Sequence, residues 1–467
     1  MGTGLQGKAV LLRPGRRVLQ KVAHALIPSF ADSNSKPVRL HPTSYLDGLR
    51  GVASFIVFMG HYTESTIGWF TEPYGLYEDN APSSPLQLPF IRVLYSGRPM
   101  VSIFFIISGF VLSYKPLKQI HAQQYEDIAH TLSSSVFRRA MRLFLPSLIN
   151  MLITAVGIYS GITAPTYGEQ FPTLSLQLKA WYNICWKFIG ASWLLDSHDL
   201  PRLNPALWTI PVEFAQSLLL FLAVLGLSRC TTQARFILLG LISVFCFQTG
   251  RHHTIEFLGG MFFAEVVLLQ NASTPSPPPN LDILPMHVEE KPIVAAESNS
   301  QVKPYLVQAF WLANLACGLY IASWTNHHVE GVWGLRFLNA HTPAPYKGQR
   351  IWFCLGAFQI VGACTQVRTL QRLFASPVPQ YLGNISYALY LMHNVCLQSL
   401  QPQFGPFIDE YIGTATLGAR HMVWLTGLVL YLPVIICVSD LFWRVVDIPT
   451  VKLARWLEGK CVLKTSP

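Results

Sequence analysis

Residues Tyr45 to Tyr62 read Y-L-D-G-L-R-G-V-A-S-F-I-V-F-M-G-H-Y, an apolar run from Val52 to Gly60 bracketed by Arg50 and His61. A helix turns about 100° per residue, so an eleven-residue spacing returns the second side chain to nearly the same face, roughly 16 Å further along the axis. Arg50 and His61 therefore look into one space, and Ser54, one turn beyond Arg50, extends that face as a polar seam. Phe55, Ile56 and Phe58 cover the remainder, and Asp47 is the expected N-cap. An arginine in a bilayer costs at least about 2.5–3.5 kcal/mol, which favours a functional reading of Arg50. The other reading is an arginine at the membrane edge, paired with Asp47 and snorkelling.

The rest of the chain supports a membrane setting. Of 467 residues, 51% are hydrophobic and 12% charged, the composition of a polytopic membrane protein rather than of a set of soluble cores. Ten apolar segments follow one another, near 46–62, 99–115, 143–162, 206–228, 235–250, 254–270, 305–325, 351–366, 385–400 and 421–439. With the N-terminus in the cytosol, 23 of the 34 Lys and Arg collect on that side. The expected fold is thus all-α, an integral membrane protein of about ten transmembrane helices with both termini cytosolic. This topology accounts for the net charge of +10 without nucleic acid.

Three segments frame the expected transmembrane domain, 44–445. Residues 1–43 form a basic cytosolic tail with no acid before Asp32 and no signal peptide, and the positive-inside rule explains them without a mitochondrial presequence. Residues 271–304, with S-T-P-S-P-P-P-N, are a proline-rich cytosolic loop expected to be disordered, and residues 446–467 a cytosolic tail. Asn271-Ala-Ser and Asn384-Ile-Ser match the glycosylation pattern but fall on the cytosolic side. The outer stretch from Leu174 to Leu195 carries Trp181, Trp186 and Trp193 and reads as an interfacial helix. The cysteines lie mostly in apolar runs and suggest no disulfide scaffold. The adjacent pairs His252-His253 and His327-His328 point different ways on a helix, so no metal is assigned.

Three further clusters can carry chemistry. F-R-R-A-M-R-L-F-L-P, Phe137 to Pro146, places Arg139 and Arg142 on one face with Arg138 nearby. Read as a helix start, this run suits a phosphate-bearing ligand from the cytosol, or else an ordinary topology anchor. L-W-T-I-P-V-E-F puts Glu213 inside an apolar span, either orienting His61 or an acceptor hydroxyl, or serving structure. G-N-I-S-Y-A-L-Y-L-M-H-N gives Tyr387, Tyr390 and His393, the last two one turn apart, as substrate contacts or as packing.

L-D-G-L-R-G-V-A with the R-x10-H spacing to His61 resembles the membrane-bound acyltransferase 3 family, which moves acyl groups, commonly acetyl, to hydroxyls. S-I-F-F-I-I-S-G-F-V-L-S, Arg139-x-x-Arg142 with Pro146, W-T-I-P-V-E and I-S-Y-A-L-Y-L-M-H continue the likeness in order over most of the chain. The resemblance implies Arg50 and His61 as the essential pair and Arg139 and Arg142 as acyl-donor contacts. It departs from the family where a proline often follows the span-nine histidine: here Asn394 and Val395 follow His393, which leaves the role of His393 open. No esterase-like domain is appended, and the compact form resembles fungal members that acylate secondary metabolites such as terpenoids. The expectation is an O-acetyltransferase of an endomembrane such as the endoplasmic reticulum. Acetyl-CoA would be its co-substrate and a small hydroxylated molecule its acceptor, with no tightly bound cofactor. His61 is expected as general base or as an acyl-histidine nucleophile. A glycan acceptor is the alternative within this class. A transporter is the alternative outside it, although the two halves show none of the self-similarity common in transporters.

Overall fold

Polar residues inside apolar helices dictate how this chain packs, because in lipid they must find each other. The computed structural model describes residues 28–29, 40–75, 83–191, 202–272, 302–346 and 348–462. Most of the basic tail, most of the proline-rich loop, Trp193 and residues 463–467 lie outside these. The described residues are helical, with no strand among them. In order the helices are α1 (Ser44–Thr66), α2 (Gly97–His121), α3 (Tyr125–Tyr159), α4 (Leu174–Gly190), α5 (Thr209–Gly226), α6 (Thr232–Gln248) and α7 (His252–Ala272). There follow α8 (Val302–Ala322), α9 (Leu335–Ala340), α10 (Arg350–Gln366), α11 (Arg368–Phe374), α12 (Pro377–Ile412), α13 (Leu417–Phe442) and α14 (Ile448–Cys461).

Each of the ten apolar segments lies largely within a helix. Six stretches are long and apolar enough to cross a membrane: Gly97–His121, Tyr125–Tyr159, Pro205–Gly226, His252–Ala272, Tyr305–Ala322 and Leu417–Cys461. Helices α6 and α10 have 17 residues each. Helices α1 and α12 are long but carry too many polar groups, for a structural reason: they face each other. Ser54 Oγ donates to the Ser386 carbonyl at 2.8 Å, and Gln380 Nε2 to the Ser44 carbonyl at 2.7 Å. Backbones meet closely where they cross, since a Cβ on Gly51 would fall on the Gly383 amide and one on Gly383 on the Asp47 carbonyl. Such glycines let membrane helices approach. A second crossing, α2 on α7, is built the same way from Gly109 and Gly260.

Several local expectations change. Helix α1 begins at Ser44 after Thr43, so Asp47 lies in the first turn and is not the N-cap. Helix α3 begins at Tyr125, well before the apolar run from Leu143, because the amphipathic stretch preceding that run is helical too. Arg139 and Arg142 therefore lie mid-helix, and the argument from free helix-start N–H groups does not apply to them. Within the expected C-terminal tail, 446–467, lies α14, joined to α13 through a π turn, Trp443–Asp447. The His252 and His253 rings lie 3.9 Å apart rather than pointing away, with His253 Nδ1 3.0 Å from Glu256 Oε2. His327 and His328 lie outside any helix except as flanking residues of a 3-10 turn, and His328 meets Glu72 at 3.0 Å.

Candidate active site

At the Arg50 end of the bundle, α1, α2, α3, α5, α12 and the π turn enclose a cavity of about 210 Å3. Its charged lining is Arg50, Arg139, Arg142, Glu213 and Asp447, with Tyr387 and Tyr390 beside them and Val101, Phe104, Phe105 and Leu143 on the apolar side. Six of the residues singled out from the sequence, Arg50, Arg139, Arg142, Glu213, Tyr387 and Tyr390, thus line one cavity.

They are not equivalent. Arg50 is paired with Asp47 as one reading expected, its Nη2 3.2 Å from Asp47 Oδ1, while its Nε donates to Ser386 Oγ at 3.0 Å and Nη2 to the Gly383 carbonyl at 3.3 Å. It lines the cavity and pins α1 to α12 at once. Arg139 is buried and donates to Glu213 Oε1 at 2.9 Å and to Ser217 Oγ at 3.1 Å; Ser108 Oγ also donates to Glu213 Oε1, at 3.0 Å. Glu213 is therefore the counter-charge of Arg139 and meets neither His61 nor His393. Arg142 lines the cavity with no hydrogen bond or ion pair to any described residue. Arg138 stands outside the cavity, bonded to Ser134 Oγ at 2.8 Å and to Glu458 of α14 at 3.0 Å. It ties two helices together, so the structure does not join it to the other two arginines.

His61 lies beyond this chamber, on the far part of α1. Its ring stacks on His393 of α12 with centroids 5.2 Å apart and planes inclined by 23°. His393 Nδ1 lies 3.0 Å from the Leu389 carbonyl. That contact fixes the tautomer, since only an N–H can face a carbonyl, and leaves Nε2 as a lone-pair acceptor. Nε2 is buried with no partner among the described residues. The His61 ring likewise makes no hydrogen bond to a described residue, whereas its neighbour Tyr62 is engaged with the Trp424 carbonyl. Tyr390 joins the two regions: it lines the cavity, its ring lies 6.0 Å from that of His393, and its hydroxyl meets Thr209 Oγ1 at 2.8 Å and donates to the Ala206 carbonyl.

The pair is held by a buried amide network. Asn150 Nδ2 donates to the Leu391 carbonyl at 2.9 Å, Asn204 Nδ2 to Asn150 Oδ1 at 3.0 Å and to the same carbonyl at 3.1 Å, and Asn394 Nδ2 to Asn204 Oδ1 at 3.1 Å. Asn394, which follows His393, thus locks the turn carrying that histidine to the segment that leads into α5.

Sequence reasoning missed Asp447 and the wall residues Ser108 and Ser386. Asp447 was hidden because the last span had been ended at 439, where Asp440 and Arg444 resemble a membrane boundary. The two in fact pair with each other at 2.7 Å, and the helix continues past them through the π turn. An acid just before Ile448-Pro449 in a long apolar segment was the available signal.

The geometry offers an uncommitted cation in a partly apolar chamber at one end. At the other is a stacked pair of imidazoles, with His393 Nε2 buried and unpartnered among the described residues. Residues 43–444 match the family model described as an acyltransferase domain. The chain is 30% identical over 461 residues to the O-acetyltransferase PaAT-1 of Phomopsis amygdali, covering 92% of this chain and 87% of that protein. It is 25% identical over 472 residues to the acyltransferase clz18 of Cochliobolus lunatus, covering 90% and 95% respectively. No solved structure matches it. With the family model spanning most of its length, three of its arginines around one chamber and two histidines stacked beyond it, the chain belongs to the acyltransferase 3 family and is an acyltransferase.

Proposed function

We propose that this O-acyltransferase transfers acetyl from acetyl-CoA to a hydroxyl of a small lipophilic acceptor, such as a terpenoid secondary metabolite, in an endomembrane. The observation that carries the donor half is Arg142, a guanidinium that lines the chamber and makes no ion pair with a described residue, whereas Arg50 and Arg139 are paired and Asp447 shares the lining. Guanidinium matches phosphate in charge and in its planar fork. The chamber is smaller than the roughly 300–1,000 Å3 that buries a drug-sized ligand, so it suits one end of a long donor. Acetyl as the acyl group is supported by the name of the Phomopsis relative, an O-acetyltransferase.

In the proposed step the acceptor hydroxyl lies against the His61–His393 pair and gives its proton to His61 as its oxygen attacks the thioester carbonyl. The new C–O bond forms, the C–S bond breaks, and the leaving thiolate takes the proton from His61. The products are the ester and free CoA. Tyr390, between chamber and histidines, forms part of the path along which thioester and hydroxyl meet. The transporter alternative has no support from the matches, all of which are to acyltransferases.

The test is acetyl-CoA turnover by membranes containing the protein, with a panel of hydroxylated terpenoids and of sugars, read as CoA release and as an acetylated product by mass spectrometry. Terpenoid esters are the expected result. Products formed only from sugars would move the acceptor to the glycan class, and no acetyl transfer to any hydroxyl would overturn the donor assignment.

A further inference from the structure

We infer that Asp440 is a positioning residue for the donor chamber, an inference resting on the donor reading above. Its carboxylate is wholly buried near the end of α13, away from the chamber lining. Four donors converge on it. Oδ2 accepts from the Ser29 backbone N–H at 2.8 Å, from Ser29 Oγ at 2.7 Å and from the Tyr381 hydroxyl at 3.2 Å, and Oδ1 accepts from Arg444 Nε at 2.7 Å. A carboxylate has about four lone-pair sites. This one accepts four bonds, three at Oδ2 and one at Oδ1.

Two of the segments that it ties together carry the chamber wall. Tyr381 precedes Gly383, whose carbonyl holds Arg50, and the same helix continues through Ser386, Tyr387 and Tyr390. Arg444 belongs to the π turn Trp443–Asp447, whose last residue lines the chamber with Arg142. A π turn places the residues after it at a different angle from an uninterrupted α-helix, and such turns recur at functional sites. The Asp440–Arg444 ion pair spans the entry into that turn. One buried charge therefore fixes α12 against the π turn, and with it the separation of Arg50, Arg142 and Asp447. The third tie is Ser29, bonded to the same anchor through its backbone N–H and its hydroxyl.

Asparagine at 440 retains one oxygen and presents an NH2 group to donors, so it cannot accept all four bonds. Kinetics in membranes, varying acetyl-CoA at saturating acceptor and then the reverse, separate positioning from general destabilisation. For Asp440→Asn the expected result is an apparent KM for acetyl-CoA raised about tenfold or more, since a displacement of 1 Å can cost that much. The KM for the acceptor should stay within about twofold, and Arg142→Ala added to Asp440→Asn should cost less than Arg142→Ala alone, as coupled sites do. Tyr381→Phe and Ser29→Ala, which each remove one bond, should shift the donor KM in the same direction by less, and they carry the test if Asp440→Asn does not accumulate. Equal changes in both KM values, or turnover that falls only with protein abundance, would overturn the inference while a raised donor KM in Arg142→Ala leaves the donor reading standing. An unchanged donor KM in Arg142→Ala itself would remove that reading first.

Discussion

Arg138, Arg139 and Arg142 lie within five residues of one another, yet their partners give them three different jobs and three different predicted phenotypes. Arg142 is uncommitted, so Arg142→Ala should raise the apparent KM for acetyl-CoA with little change in protein level, read by donor titration against immunoblotted abundance. Arg139 is the buried partner of Glu213. Its replacement by alanine leaves that acid unpaired and should destabilise the protein by about 3–5 kcal/mol, seen as lost abundance or an early thermal transition in detergent. Arg138→Ala removes a partly exposed tie to Glu458 and should do little to donor kinetics. His61→Ala should lower turnover by about 10²-fold or more with donor KM retained, as loss of a general base does, because Tyr62 is held at the Trp424 carbonyl and Glu64 pairs outward with Arg98. Near-normal turnover by a well-expressed His61→Ala protein would pass the base role to His393. Helical periodicity sufficed to put Arg50 and Ser54 on one face and Arg139 beside Arg142, since it needs only sequence. It could not tell a paired arginine from a free one, because the partners Glu213 and Glu458 come from helices distant in the chain.

Helices α1 and α12 show why apolarity alone undercounts the elements that matter. Both carry polar stripes that would be costly facing lipid, and both turn those stripes toward each other at Ser54, Ser386, Gln380 and Ser44. The close approach at Gly51 and Gly383 makes this interface steeply sensitive to volume. Gly383→Ala sets a methyl onto the Asp47 carbonyl and should cost about 1–3 kcal/mol by overpacking, measured as a lower melting midpoint. Because the displaced backbone also holds Arg50, transfer should fall further than stability alone explains. An unchanged midpoint would mean that the two helices have slack at the crossing. Sequence revealed both helices through their apolar runs but not their pairing, which depends on contacts more than 300 residues apart in the chain, such as Ser54 with Ser386. It also misplaced the ends of α3 and α13. In each case the helix runs on through charged residues whose partners, Glu213 for Arg139 and Asp440 for Arg444, neutralise them inside the fold.

For the molecule as a whole, the direction in which the chamber opens decides whether the proposed chemistry is possible. CoA is a large polyanion that does not cross a bilayer unaided, so the Arg50 end must face the compartment that supplies it. The distribution of Lys and Arg predicts that this end, the 271–304 loop and the C-terminal end of α14 are all cytosolic. Cys461, exposed at the end of α14, gives a direct test. In a variant retaining Cys461 as its sole cysteine, a membrane-impermeant maleimide added to sealed microsomes, whose outer face is cytosolic, should label the protein without detergent. A cysteine placed at Glu64, near the His61 end and partly exposed, should label only after permeabilisation. Activity measured in the same vesicles links the two results: acetyl-CoA added outside should be turned over without detergent. The reverse labelling pattern, or a glycan on Asn271, would place the chamber away from the cytosolic donor pool. Arg142 would then revert to a charge within the bundle, and another route for the donor would be needed to reach His61.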